Sequence, residues 1–408
     1  MGAIVAALLA FPLTASAHGG LVARYFPAYG GAVSLAVGAG GALWLDFGKT
    51  IERVSLSGRA RVFRIPGVSS VSAGAIAAGA DGALWFNEDT ADCGGGLERF
   101  GRITLTGRVS HVVIPGVPRH KAINTIGPVQ GSDGNMWFAS SVCEAGPRRG
   151  LIGRITPRGQ VRQWTVGFPP AVIARGPDQQ MWLTSGSDQE VSISATGRIT
   201  PHRLTLSSPI TSGPDAAFWA PSNHGILRVR VNGHARLYPY LPDDTTNTSN
   251  NVAPGPHNDV WFTRETTDTG GGSNAESGSI DSHGRVQTIP LGDGFGEPTG
   301  ITAAPDGAVW VAQFYGPLAR ITTRTKTPVP SPRVRVLHLT VSGRHASVSL
   351  RCEGLLGTFC SDALAVHDRS GRLVSPTTHF TVAAQNRLNI TLALSRPYSL
   401  RAVHLSIR

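Results

Sequence analysis

The sequence predicts an all-β protein, a seven-bladed β-propeller followed by a small β-sandwich module of the immunoglobulin-like kind. Three observations predict it: a tryptophan-bearing motif occurs seven times, glycine turns separate short runs of alternating apolar and polar residues, and the pattern changes beyond Pro330. The 408 residues, with 50 glycines and 28 prolines, suit one large turn-rich domain and one small domain.

The recurring motif is clearest in the segments GADGALWF and GSDGNMWF. Its seven tryptophans follow one another at intervals of about forty residues, the period of propeller blades; they are Trp44, Trp85, Trp137, Trp182, Trp219, Trp261 and Trp310. We interpret these tryptophans as packing residues between blades and the aspartates of the motif as turn formers.

Each repeat divides into four strands. A short apolar strand leads through an Asp-Gly turn to the tryptophan strand, and a variable loop leads to a third strand such as Ile152–Thr156. A second glycine turn then precedes the outermost strand. The arginine of the third strand recurs in register, which favours packing or a surface ion pair over catalysis; its copies are Arg102, Arg154, Arg198 and Arg320.

Closure of the ring is predicted from the two ends of the repeat region. The last repeat supplies three strands before the proline-rich linker, whereas Leu21–Phe26 resembles an outermost strand without a blade of its own. We expect this strand to complete the seventh blade, so that no sheet edge is left open.

The domain boundaries follow from these patterns. Residues 1–17 read as a signal peptide, because the apolar run Ile4–Phe11 precedes the small residues Ala15-Ser16-Ala17, and we therefore expect a secreted or cell-envelope protein. Residues 21–327 form the propeller, 328–332 the linker and 333–408 the sandwich module. No apolar run is long enough to span a membrane.

The four cysteines predict two disulfides in an exported chain. Cys352 and Cys360 lie close together in the module and are expected to close a short loop. Cys93 and Cys143 follow the motif in neighbouring repeats and are expected to join two blades. A metal site is the weaker interpretation, because no CxxC motif or histidine pair accompanies them.

The net charge of +11 is concentrated in the C-terminal module. From Ser331 onward there are ten arginines and three acidic residues, a net charge of +7. This tail is suited to an anionic surface such as a cell-wall polymer or lipid headgroups, and the alternative is a solvated basic sheet face. No nucleic-acid partner is expected for an exported protein without an aromatic and basic groove, and we expect a monomer.

The two faces of the ring are predicted to differ. The Asp-Gly and Thr-Gly turns share one face, where His257 occupies a turn position and is interpreted as structural. Three long loops share the opposite face, at Asn87–Leu97, Ser140–Gly150 and Arg264–Ser277. Long loops on a rigid scaffold often carry function, so a ligand is expected on this loop face, above the channel.

The repeats GxDGxxWF and IGRIT resemble those of the streptogramin B (virginiamycin B) lyases, over roughly Leu21–Thr327. The resemblance implies a magnesium-dependent elimination that opens a cyclic depsipeptide, with a histidine as general base. The family's Glu-Pro-His-Gly-Ile stretch corresponds here to Glu297-Pro298-Thr299-Gly300-Ile301. Glu297 therefore matches the metal-binding acid, and Thr299 stands at the position of the catalytic histidine.

Two further family positions differ. Asn250 replaces a second histidine at the start of the sixth blade, and Gln313 and Phe314 occupy the place of the second metal carboxylate. A threonine hydroxyl cannot replace imidazole as a base. Glu88 and Glu265, on loops of the same face, are the alternative carboxylates, of which only Glu265 lies in a neighbouring blade.

Three functions remain open from the sequence. The first is a binding propeller whose loop face recognises a small cyclic peptide, another peptide or a glycan through Asn250, Glu265, Glu297 and Thr299. The second is an active C–O lyase with Mg²⁺ bound at Glu297 and an alternative base, for which His120 and His224 are candidates. The third is a cell-envelope scaffold. The two missing histidines favour the first or the third function over the second.

Overall fold

The computed structural model describes residues 15–18, 20–26, 31–66, 76–88, 99–115, 123–142, 150–185, 188–206, 209–222, 225–239, 247–267, 273–291, 297–314, 316–323, 330–355 and 358–407. Almost all regular structure in these residues is β-strand. Within them, no helix has the length and hydrophobicity that a membrane crossing requires.

The first described strands are β1 (Ala15–His18) and β2 (Leu21–Phe26), and six four-stranded antiparallel sheets follow. Blades 1 to 3 contain, in order, β3 (Ser34–Val37), β4 (Leu43–Asp46), β5 (Thr50–Val54) and β6 (Ala60–Arg64); β7 (Ile76–Ala78), β8 (Leu84–Asn87), β9 (Arg99–Ile103) and β10 (Val109–Val113); β11 (Ile123–Gln130), β12 (Met136–Val142), β13 (Gly150–Ile155) and β14 (Val161–Val166).

Blades 4 to 6 continue the same meander. They contain β15 (Val172–Arg175), β16 (Met181–Thr184), β17 (Glu190–Ile193) and β18 (Ile199–His202); β19 (Thr211–Gly213), β20 (Ala217–Ser222), β21 (Gly225–Arg230) and β22 (Ala235–Pro239); β23 (Asn247–Pro254), β24 (Val260–Thr267), β25 (Ser273–Ile280) and β26 (Val286–Pro290). Two 3-10 turns, Ala39–Gly41 and Pro214–Ala216, replace the hairpin turns of blades 1 and 5.

Blade 7 closes the ring. Its strands β27 (Pro298–Ala303), β28 (Val309–Gln313) and β29 (Leu318–Thr323) are joined by β2, which pairs antiparallel with β29 along its whole length. The innermost strands contact one another in order, and β27 contacts β3. The closure expected from Leu21–Phe26 and the all-β propeller fold are thus confirmed.

β1 adds a fifth strand to blade 7, where Ala15–His18 pairs with β2. Signal-peptide cleavage after Ala17 would remove three of its four residues. Blade 7 would then have four strands, like the other six blades. The signal peptide itself remains a prediction.

A three-residue lock explains why the motif combines aspartate, tryptophan and arginine. In blade 3, Asp133 accepts a hydrogen bond from Trp137 Nε1 at 3.1 Å and forms an ion pair with Arg154 at 3.3 Å. The motif's first glycine is required because a Cβ at Gly131 would collide with the Trp137 indole. Equivalent ion pairs join Arg102 to Asp81 (2.6 Å) and Arg320 to Asp306 (2.8 Å).

Complementary ring contacts fill the space between strands. In blade 3, Phe138 lies where a Cβ on Gly153 would be, and the tryptophan stacks on Trp164 of the outermost strand with ring centroids 5.6 Å apart. In blade 7 the stacking partner of Trp310 is Phe26 of β2, at 5.4 Å. The closing strand therefore contributes core packing as well as hydrogen bonds.

The C-terminal module is a sandwich of two three-stranded sheets. Its strands are β30 (Arg333–Ser342), β31 (His345–Glu353), β32 (Phe359–Asp368), β33 (Thr378–Ala383), β34 (Arg387–Ala393) and β35 (Val403–Ile407), in the orders β30-β31-β34 and β33-β32-β35. A buried aliphatic core lies between the sheets. The Cys352–Cys360 disulfide is present, as predicted, whereas Cys93 and Cys143 lie outside the described residues.

The module rests on the turn face of the ring. Ser361 Oγ accepts a hydrogen bond from Gly40 N of blade 1 at 2.8 Å, and Thr381 O accepts one from Gln130 Nε2 of blade 3 at 3.2 Å. Asn386 Oδ1 accepts one from Gln179 Nε2 of blade 4 at 3.2 Å. These contacts place β32, β33 and the start of β34 over the Asp-Gly turns.

The module also covers the turn-face end of the central channel. A cavity of about 290 Å³ lies between the innermost strands of blades 3 to 6 and the β33–β34 turn. Phe359 packs against the cores at blades 6, 7 and 1. The module therefore covers the channel on this side. The loop face is the face of the ring opposite the module.

Candidate functional site

The loop face is shaped differently from the sequence expectation in blade 6. Arg264–Ser277, expected to be a long loop, is largely two paired strands, because β24 and β25 extend with Glu265 opposite Ala275 and Thr267 opposite Ser273. The β-branched threonines of this segment, Thr263, Thr266 and Thr267, favour this extension. The other two expected loops lie mainly outside the described residues, although Ser140–Val142 continue β12.

Two β-bulges stand at the start of the innermost strands of blades 6 and 7. The pairing of β23 with β24 shifts between Ser249 and Asn251, which leaves Asn250 out of register. The pairing of β27 with β28 shifts between Pro298 and Gly300, which leaves Thr299 out of register. Bulges redirect side chains and are enriched beside active sites. Asn250 and Thr299, the two positions at which the sequence resemblance implies histidines, are therefore bulged residues in adjacent blades.

The Thr299 hydroxyl is engaged across the closure of the ring. Thr299 Oγ1 donates a hydrogen bond to Ala32 O, before β3, at 2.6 Å. On the other side, Asn251 Nδ2 donates to Pro298 O at 3.1 Å and ties blade 6 to blade 7. Thr299 thus joins blade 7 to blade 1, a role that the sequence alone did not indicate.

Glu297 lies beside Thr299 as an exposed residue. Its carbonyl oxygen accepts a hydrogen bond from Phe314 N at 2.7 Å, which fixes its backbone at the loop-face start of β27. Gln313, at the end of β28, is fully buried. Its amide donates to Leu291 O at 3.2 Å and to Pro317 O at 2.6 Å, so its role is to hold the surrounding backbone.

The remaining carboxylates of this face have other positions. Glu265 is a half-buried residue of β24 next to Arg264, which forms an ion pair with Glu276 at 2.7 Å. Glu88 of blade 2 is buried and contacts the Arg99 guanidinium and His111 Nδ1. Glu88 is therefore a structural acid of its own blade.

These residues do not fit a bound magnesium ion. Mg²⁺ prefers several oxygen ligands, with carboxylates first among the protein groups. Glu297 offers one carboxylate, and the other side-chain oxygens at this place are neutral: the Thr299 hydroxyl and Gln313 Oε1, which is buried without a hydrogen-bond partner. Across the described residues, no three His, Cys, Asp or Glu side chains come together as a metal site.

Asp46 of blade 1 is a loop-face residue that sequence reasoning did not single out. It is fully buried at the end of β4, and burial raises its pKa to about 7, with a hydrogen bond from Gly48 N acting in the opposite direction. The corresponding Asn87 donates to Thr125 O of the next blade at 2.9 Å. The sequence signal that could have identified Asp46 is its position two residues after the motif tryptophan. At that position blade 2 has an amide, Asn87, and blade 4 has a hydroxyl, Thr184.

Several sequence candidates lie outside the part of the chain that the structure describes. His120 and His224, proposed as alternative bases, are among them. The backbone of Asn250 is described, but its side chain is not. The described site therefore consists of Glu297, Thr299 and the two bulges, with Glu265 in the neighbouring blade.

Comparison with known proteins agrees with the propeller fold. The sequence model of the Virginiamycin B lyase family matches residues 24–321. A streptogramin B lyase structure is 21% identical, with a TM-score of 0.59, and covers 76% of this chain and 99% of its own. The structure of a catalytically inactive virginiamycin B lyase from Staphylococcus aureus with quinupristin is 23% identical, with a TM-score of 0.58, and covers 74% and 99%. No curated protein gives a significant match.

Proposed function

Because the chain belongs to the virginiamycin B lyase family, we propose that it binds a small cyclic peptide on the loop face at blades 6 and 7 without cleaving it. The observation that carries this proposal is the pair of bulges at Asn250 and Thr299. Bulges are enriched beside binding and active sites, and the two bulged positions carry asparagine and threonine in place of the histidines expected for elimination.

Recognition has suitable groups at this place. Glu297 is exposed and offers an anionic acceptor, which pairs with an amide N–H or an ammonium group of a peptide. Phe314, with 37% of its surface exposed, stands directly across the bulge and offers an apolar ring edge. A charged acceptor beside an exposed aromatic ring suits a compact ligand with both polar and apolar sides.

The described residues of this site do not include the base and the metal ligands that turnover requires. Elimination needs a base with a pKa near neutrality, and the hydroxyl at Thr299 is far from that range and already donates to Ala32 O. The oxyanion that develops would need a cation, and the residues around Glu297 do not fit magnesium. The geometry supports a site that holds its ligand and releases it unchanged.

Quinupristin, the compound in the comparison structure, is a practical probe. We expect calorimetric titration of the whole protein to show binding in the micromolar range, about −8 kcal/mol, and mass spectrometry after prolonged incubation with Mg²⁺ to show only the cyclic compound. Glu297→Gln should weaken binding roughly tenfold, whereas Glu353→Gln, a matched exposed glutamate of the module, should leave it unchanged.

Two outcomes would contradict the proposal. A linear product from the unmodified protein would establish lyase activity, with a base outside the described residues. Absence of binding at millimolar quinupristin would remove the cyclic-peptide assignment. The variant carrying Asn250→His, Thr299→His and Gln313→Glu serves as a positive reference, because it restores the family's residue types at all three positions.

A further inference from the structure

We propose that the C-terminal module is a peripheral membrane-binding module whose outer edge lies on an anionic lipid surface and holds the ring with its loop face directed away from it. The outer edge is formed by β30 and the 3-10 turn Leu400–Ala402, which contact each other. This inference goes beyond ligand recognition and does not depend on it.

Sheet order places this edge away from the ring. In the order β30-β31-β34, the ring is contacted at β34, where Asn389 N donates to Ser132 O at 3.2 Å. In the order β33-β32-β35, it is contacted at β33 and β32, through Thr381 O and Ser361 Oγ. β30 and β35 are the opposite edges of the two sheets, so the outer edge is distal to the ring.

Apolar side chains are exposed along this outer edge. A bulge in β30 between Val336 and His338 coincides with Val336 at 40% and Leu337 at 38% exposure, and Leu400 is 49% exposed. Only seven large hydrophobic side chains are this exposed among the described residues, and these three share one edge. Contiguous exposed apolar groups on a soluble surface indicate an interaction site.

Arginines lie on the same outer edge as these apolar groups. Arg333, Arg335 and Arg401 are exposed on the same edge. Arg335 also lies directly opposite Arg351, which lies opposite Arg387, so three like charges occupy neighbouring strands of one face. Such an arrangement is unfavourable unless an anion neutralises it, and Glu353 offers a single ion pair with Arg335 at 3.2 Å.

The combination selects an anionic bilayer over a soluble polyanion. Arginines attract acidic headgroups, each contributing about 1 kcal/mol near the surface of an anionic membrane. A soluble polymer would satisfy the arginines but leave Leu337 and Leu400 in water, whereas a bilayer interface buries them. Arginine on an edge strand also discourages strand pairing, but that role requires no exposed leucines.

Co-sedimentation of the whole protein with vesicles tests this assignment. We expect at least tenfold tighter binding to phosphatidylcholine vesicles containing a quarter phosphatidylglycerol than to pure phosphatidylcholine, with the difference lost in high salt. Arg335→Ala should weaken the partition about fivefold, the factor that corresponds to one arginine near the surface. Leu337→Asp and Leu400→Asp should each weaken it at least as much.

Matched controls lie on the ring. Leu237 of blade 5 is 40% exposed, and Arg230 is exposed in the same blade, so Leu237→Asp and Arg230→Ala should leave vesicle binding unchanged. Circular dichroism melting of each variant verifies folding, and these surface positions tolerate substitution.

Three results would overturn the assignment. Equal binding to neutral and anionic vesicles would remove the role of charge. Equal losses of vesicle binding in Leu237→Asp and Leu337→Asp would show that the outer edge is not the membrane-binding surface. Tight binding of inorganic polyphosphate, competing with vesicles and unaffected by Leu337→Asp and Leu400→Asp, would reassign the arginines to a soluble polyanion.

Discussion

The two faces of the ring use the same repeat in opposite ways. On the turn face the repeat is regular: aspartate, tryptophan and arginine form the same lock in blades 2 and 3, and the C-terminal module rests on the turns. On the loop face the repeat is interrupted, by bulges at Asn250 and Thr299 and by the buried Asp46. Regular positions stabilise the ring, and the two bulges shape the candidate site.

The largest expected effect concerns Asp46, on the loop face. Its pKa is about 7 in the folded protein, against the ordinary aspartate value of 3.8 in the unfolded chain. Between these two pH values the folded state therefore holds a proton that the unfolded state has lost. The free energy of unfolding must therefore fall as the pH rises from about 4 to 7. The free energy of unfolding of Asp46→Asn should equal that of the wild type near pH 4 and should be higher than it at pH 8, by up to about 4 kcal/mol.

Urea denaturation at pH 4, 6 and 8 measures this difference. Asp281→Asn is the opposite control. Desolvation is the largest single effect on the partly exposed Asp281 and raises its pKa, but hydrogen bonds from Arg285 and His283 and the positive charge of Arg285 together outweigh it and lower the pKa. That variant should lose slight stability above the ordinary aspartate pKa. Parallel pH profiles for Asp46→Asn and the wild type would show that Asp46 is not a buried neutral acid.

On the turn face, Gly134→Ala should undock the module. Gly134 has φ +78°, and a Cβ there would collide with Asn389 O of the module. Left-handed strain and the clash together should cost about 3 kcal/mol. Gly159→Ala is the matched control: its φ is +83°, but its Cβ would meet only Val112 Cγ2 at 3.3 Å, so a cost of about 1 kcal/mol is expected. Thermal unfolding would measure the loss of stability in both variants, and limited proteolysis between ring and module would measure undocking. Equal effects of Gly134→Ala and Gly159→Ala would show that the Gly134 turn does not hold the module on the ring.

A smaller effect is expected for Thr299→Val, on the loop face. The substitution leaves Ala32 O without its donor at the closure of the ring, and should lower the free energy of unfolding by about 1–2 kcal/mol. Thr299→Ser retains the hydroxyl and should cost less than half as much in urea denaturation. If valine and serine behave alike, the hydroxyl does not join blades 7 and 1.

The smallest effect is expected for the lock itself. Arg102→Ala removes a partly exposed ion pair and should cost under about 1 kcal/mol. Asp81→Ala should cost more, because Asp81 also accepts from Trp85 Nε1 at 3.4 Å. A double-mutant cycle of Arg102 and Asp81 should give a coupling energy of about 0.5 kcal/mol. A coupling energy near zero would show that the recurring arginine acts by packing over the tryptophan and not through the ion pair.

Sequence reasoning reached the fold because the repeat is local. Seven tryptophans at regular intervals, glycine turns and the unpartnered Leu21–Phe26 strand were sufficient for the ring and its closure. The short spacing of Cys352 and Cys360 was likewise sufficient for their disulfide. The same reasoning mistook Arg264–Ser277 for a loop, because polar residues in an extended hairpin resemble loop composition.

By itself the sequence determined the seven-bladed ring and the sandwich module, because both follow from residue identity and local period. Only the tertiary structure decided that Thr299 donates to Ala32, that Gln313 serves the backbone, and that burial raises the pKa of Asp46. It also decided that the module covers the turn face and points its basic edge outward. These features depend on distances between residues far apart in the chain, and such distances leave no periodic trace in a sequence.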